Sequence, residues 1–174
     1  MPIVPDNKDW TWVLKRPCPD CGFDAQALAL PDLPRLLTEN AQAWVEVLSR
    51  PDAATRPEPS TWSPLEYAAH VRDVHHLFAQ RLQLMLTVDS PVFPPWNQDA
   101  AAVSGHYQDL DPGQVAQQLV REAGLAAQAF AAVRQADHGR PGIRGDGGRF
   151  TVLTLAQYYA HEPVHHLWDV TYRH

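Results

Sequence analysis

Four stretches of this chain carry apolar residues at spacings of three and four, and prolines break the chain between them. Asp32-Leu33-Pro34 leads into Leu36, Leu37, Ala41, Trp44, Val45 and Leu48, which predicts a first helix over 32–49 ended by Pro51. Ser63-Pro64-Leu65-Glu66 is a strong helix start: serine caps, proline suits the first helical position, and glutamate can reach back in a capping box. Apolar positions then sustain the second helix to Thr87. Asp111-Pro112 repeats the start, and Val115, Leu119, Val120, Ala123 and Phe130 carry a third helix to Gln135. From Thr151 onward, Leu155, Tyr158, Tyr159, Val164, Leu167 and Trp168 describe the last.

Four apolar faces are most simply buried against one another, so the expected fold is all-α, a four-helix bundle. Residues 88–110, with Pro91, Pro94 and Pro95, are too long for a tight turn, which suggests a crossover rather than plain up-down-up-down. No convincing strand series appears, and His138 to Gly148 reads as a loop or short hairpin. Residues 1–30 read as an irregular arm in front of a bundle over 31–174, the whole forming one domain of 1–174.

Charge narrows the partners. Lys+Arg 14 against Asp+Glu 20 gives a net charge of -6 without a basic cluster, a poor footprint for nucleic acid. No apolar run approaches the ~20 residues of a membrane span. The first residues, MPIVPDNKDWTWVLKRPC, carry charges where a secretory signal needs an apolar core, so a cytoplasmic location is expected. Cys18 and Cys21 should then be reduced. Their C-x-x-C spacing is half a zinc site and no second pair completes it. The leading reading is two reduced cysteines in a docked arm; metal binding with a nearby histidine or a second chain, and redox chemistry, are the alternatives.

The histidines carry the chemistry. His161 and His165 lie about 40° apart on one face of the last helix and can grip one metal ion. A third ligand must come from elsewhere, and the second helix offers His70, His75 and His76. They point in different directions, so only one is expected to face the pair; His70, two turns inside the capped start, is the choice. Pro163 stands between the paired histidines and predicts a kink. Asp73 and Asp169 lie one turn beyond His70 and His165, on the faces from which carboxylates could orient the ligands. In the connection, Trp96, Asn97 and Asp99 are the candidate contacts for a small ligand. Glu66 reads as a cap, His166 as turned toward a neighbouring helix or solvent, and His106 and His138 as exposed loop residues.

The segments TWSPLEYAAHVRDV and LAQYYAHEPVHHLWDV resemble the DinB-like family, the bundle superfamily that includes mycothiol- and bacillithiol-dependent transferases and mycothiol-dependent maleylpyruvate isomerase. Trp62, Ser63, Glu66 and His70 match the first part of its pattern; His161 and His165 match the second. The resemblance covers residues 32–173 and implies a divalent transition metal (zinc, nickel or iron) on His70, His161 and His165. It also implies a low-molecular-weight thiol activated against a small electrophilic substrate, with water as the other nucleophile. High alanine, arginine and proline content resembles that of high-GC bacteria and makes mycothiol the first expectation for the thiol. The competing reading is a non-catalytic metal- or small-ligand-binding stress-response bundle. A homodimer is the expected assembly, though no sequence feature specifies it.

Overall fold

The computed structural model describes residue 3 and residues 9–172. Its elements are α1 (Leu33–Leu48), α2 (Pro64–Thr87), β1 (Val92–Phe93), α3 (Gln98–Ser104), α4 (Pro112–Ala131), β2 (Pro141–Arg144), β3 (Arg149–Thr151) and α5 (Val152–Tyr172). The arm before α1 is built of 3-10 turns, the first over Trp10–Leu14.

The helix starts form as their sequences dictate. Ser63 Oγ accepts from the Glu66 N–H at 3.2 Å, and the Ser63 N–H donates to Glu66 Oε2 at 2.8 Å, so both halves of the capping box are made. Asp111 Oδ1 accepts from the Gln114 N–H at 2.8 Å and caps α4. α5 runs unbroken through Pro163 and does not start late. The Pro163 carbonyl accepts from Asn40 Nδ2 at 3.0 Å, which ties α5 to α1.

α4 packs against α1 and α2 on one side of the bundle, and α5 packs against the same two on the other. Order around the bundle is therefore α1–α4–α2–α5: α1 and α2 stand across a diagonal, joined by residues 49–63, while the long connection before α4 joins the neighbours α2 and α4. That connection is not bare loop. It contributes β1, which pairs in parallel with β2 (Val92 with Ile143), and β2 pairs antiparallel with β3 (Gly142 with Phe150). Strands of two to four residues are too short to show a period of two, so the sequence shows no strand series, and the β2–β3 hairpin corresponds to the short-hairpin alternative for His138 to Gly148.

Gly142 is where this small sheet rests on the bundle. A Cβ there would lie 2.5 Å from Phe93 Cζ and 2.9 Å from Met85 Cγ. Gly142→Ala is therefore expected to destabilise the protein by about 1–3 kcal/mol, as overpacked cores do. A urea midpoint equal to wild type would contradict that.

The apolar core comes in two clusters. Val74, Phe78, Phe130, Tyr158, Tyr159 and Ala160 belong to one. Trp44, Leu65, Ala69, Val71, Leu119 and Val170 belong to the other. On α2 the boundary falls between Val71 and Val74, a turn beyond His70, and on α5 it falls across residues 161–166. Polar side chains occupy that belt, between two apolar masses that hold the helices in place.

Candidate functional site

α5 presents two parallel pairs to the belt: His161 with His165, and Glu162 with His166. Each pair is spaced i,i+4, and the two are offset by one residue, or about 100° around the helix. This offset decides the site. Glu162 and His166 face α2, where their ligand atoms and one of His70 lie within 4.8 Å of one another. His161 and His165 face the arm, where they gather with Cys18 and Cys21 within the same distance.

The expected trio of His70, His161 and His165 is thus divided between two centres. The sequence shows which residues share a helical face, not which neighbour that face meets. The second imidazole opposite His70 is His166, and the third donor is the carboxylate of Glu162.

In the inner centre, His70 is buried and is wedged between Trp62 and Trp96, each with its ring centroid 5.4 Å away. Trp96 stacks on it at an interplanar angle of 22°. His70 Nε2 lies 3.9 Å from Glu162 Oε2, and neither ring nitrogen has a hydrogen-bond partner among the described residues. Buried nitrogens without partners are uncommon in native folds and call for an explanation. His166 Nε2 lies 3.5 Å from Glu162 Oε2, and His166 Nδ1 is 3.2 Å from Asp169 Oδ2. Burial lowers the His70 pKa, only partly offset by Glu162. Burial also opposes the charged form of His166, but its bonds to Asp169 and Glu162 prevail and raise it to about 9. Glu162 is held well below the usual carboxylate range, the two imidazoles outweighing its burial. Two imidazoles and one carboxylate around unpartnered nitrogens fit a divalent ion such as zinc or iron.

Asp169 lies beside histidines of both groups: its Oδ2 is close to His166 Nδ1 and also lies 3.8 Å from His165 Nε2. Asp73 spends its hydrogen bonds elsewhere, and its charge reaches His70. It accepts from the Tyr107 hydroxyl and from Arg72 Nε, the latter at 2.7 Å. Of the three candidate ligand contacts, Trp96 borders the inner centre. Asn97 is exposed and spends its Oδ1 on capping α3 through the Ala100 N–H at 2.9 Å. Asp99 lies in the first turn of α3. Glu66 is the cap, and it also holds Arg56 in a two-bond ion pair. His106 is exposed and His138 half-buried.

His75 also turns inward, but away from both centres. Its Nδ1 lies 2.6 Å from the Tyr159 hydroxyl, and burial lowers its pKa to about 3. The unfolded chain takes up this proton near pH 6.5 and the folded one does not. Stability from this group is therefore complete above pH 6.5 and falls by about 1.4 kcal/mol per pH unit as pH drops toward 3. Urea unfolding at pH 7 and pH 5 should show that slope and should show it reduced in His75→Leu; an equal slope in the two proteins would contradict the assignment.

Comparison with known proteins agrees with this architecture. A family model described as the DinB superfamily matches residues 35–170. No curated protein matches the chain. Among solved structures, Bacillus subtilis YfiT, described as a probable metal-dependent hydrolase with an unusual four-helix bundle topology, superposes with a TM-score of 0.63 at 18% identity. The match covers 99% of this chain and 93% of that one. No helix among the described residues is long and apolar enough to cross a membrane.

Proposed function

The chain belongs to the DinB superfamily, and on that premise we propose that it is a metal-dependent enzyme whose divalent ion is held by His70, Glu162 and His166. The observation that carries this reading is the convergence of those three donors from α2 and α5, with both nitrogens of a buried His70 unpartnered. Three donors leave coordination positions open, which is the pattern of a catalytic rather than a structural ion. When bound, such an ion supplies Lewis acidity, making water or a thiol nucleophilic at neutral pH.

The protein's own residues do the rest. Asp169 fixes the ring of His166 so that Nε2 faces the centre, and Trp62 fixes the ring of His70. Trp96 covers the centre from the β1–α3 connection and is placed to contact a small electrophile. The description of YfiT as a probable metal-dependent hydrolase favours water as the nucleophile. The family's thiol-dependent enzymes favour a low-molecular-weight thiol, mycothiol first.

Elemental analysis of the purified protein beside His70→Ala, Glu162→Ala and His166→Ala tests the reading. Each variant is expected to lose one equivalent of metal, and with it hydrolysis of activated esters or conjugation of a thiol to an electrophile. Trp96→Ala should keep the metal and raise KM. Unchanged metal content in all three ligand variants would overturn the assignment. Metal retained by wild type without turnover of either kind would leave a non-catalytic metal-binding bundle.

A further inference from the structure

We propose that Cys18, Cys21, His161 and His165 form a second, four-coordinate zinc site that fastens the N-terminal arm to α5. It uses none of the donors of the inner centre. The sequence order is C-x-x-C followed by H-x-x-x-H, the spacing of closed Cys2His2 zinc sites. Four protein donors leave no open position, so the role of this site is structural. Two thiolates with two imidazoles favour zinc over harder cations.

The loop that carries the cysteines is shaped to bring both to one side. Gly22 adopts φ +73°, its N–H donates to the Cys18 carbonyl at 2.9 Å, and the Cys18 N–H donates to the Phe23 carbonyl at 2.9 Å. A side chain at position 22 would strain that turn. Cys18, His161 and His165 are all buried, with 1%, 2% and 5% of their surfaces exposed. Trp10 lies against both imidazoles, with ring centroids 5.5 Å and 4.9 Å away, and Trp168 lies against His165 at 5.8 Å. These rings cover the imidazole side of the cluster, while Cys21 is half-buried.

Distances agree with a tetrahedron. Bonds of about 2.3 Å to sulfur and about 2.05 Å to nitrogen place the two donors about 3.6 Å apart at the tetrahedral angle. Cys18 Sγ lies 3.6 Å from His165 Nδ1. A thiol hydrogen bond could give the same separation. It would not explain why the Nε2 of His161, in a side chain only 2% exposed, has no hydrogen-bond partner among the described residues. Ligation through His165 Nδ1 also leaves its Nε2 directed at Asp169, the arrangement that orients metal-bound imidazoles. Binding would release two thiol protons to solvent.

Cobalt(II) titration of the full chain, stripped of metal and kept reduced, is the test. The expected result is two equivalents bound, one of them giving thiolate-to-cobalt charge-transfer absorption. Cys18→Ser and Cys21→Ser should each abolish that absorption; His70→Ala and His166→Ala should leave it intact and remove the other equivalent. Should the cysteine variants fail to fold, the wild-type spectrum still decides, together with protection of both thiols from alkylation by stoichiometric zinc. Wild-type protein with two free thiols that binds cobalt without thiolate absorption would overturn the proposal. Thiolate absorption with no second equivalent would uphold this site and refute the inner one.

Discussion

His166→Ala should remove the inner ion and lower turnover by at least ~100-fold, because it deletes one of its three protein ligands. Outer partners of metal-bound histidines cost about 10–100-fold in metal affinity or activity when removed, and the ligand itself should cost more. Asp169→Asn therefore provides the graded control. Asp169 Oδ2 is the hydrogen-bond partner of His166 Nδ1, so its amide should weaken metal binding by about 10–100-fold without abolishing it. Because Asp169 also faces His165, it should be the one residue whose change disturbs both cobalt equivalents. Metal affinity and turnover, measured in the two variants at one pH, check the ranking. A His166→Ala protein as active as wild type would exclude the inner centre from catalysis.

Glu66→Ala is expected to destabilise the protein by about 3 kcal/mol. Glu66 is 3% exposed and carries three jobs at the start of α2. It accepts from the Ser63 N–H at 2.8 Å, and it accepts two bonds from Arg56, from Nε at 2.9 Å and from Nη2 at 2.5 Å. Breaking a buried pair by removing one partner costs about 3–5 kcal/mol, because it leaves a charge uncompensated. Arg56 retains some exposure, so the lower end applies. Glu66→Gln should cost less, since the amide oxygen can still cap Ser63. Glu66→Ala with Arg56→Ala should cost less than the two single changes together. The Glu66 carboxyl is kept below its ordinary pKa, since Arg56 and Ser63 prevail over burial. Its contribution is thus present above pH 4.5 and lost as pH falls below that value. A Glu66→Ala midpoint close to wild type in urea at pH 7 would contradict this. The start of α2 also matters to the site, since His70 stands one turn after Glu66.

The bundle was legible because its helices are written locally. Ser63-Pro64-Leu65-Glu66 and Asp111-Pro112 specify their caps within four residues, and periodic apolar positions run for several turns. The β2–β3 hairpin was legible only as one alternative for 138–148, and β1 was not legible, since it pairs over two residues with a strand far away in sequence. The site was half legible for a related reason. His70 lay at a border of the apolar stripe of α2, and that much could be read. The face of α5 that meets it could not, because His161/His165 and Glu162/His166 carry the same spacing one residue out of step. Glu162 carries no histidine spacing that marks it as a ligand, so its carboxylate was not legible either. Cys18 and Cys21 looked incomplete because their partners lie on the last helix: His165 is 147 positions from Cys18. The signal that could have joined them was the order of the two spacings, C-x-x-C then H-x-x-x-H, read as one pattern.

Crystals of the zinc-loaded protein, with anomalous scattering measured at the zinc edge, test the division into two centres most directly. Two peaks are expected: one bounded by His70, Glu162 and His166, the other by Cys18, Cys21, His161 and His165. A single peak ligated by His70, His161 and His165 together would contradict that division.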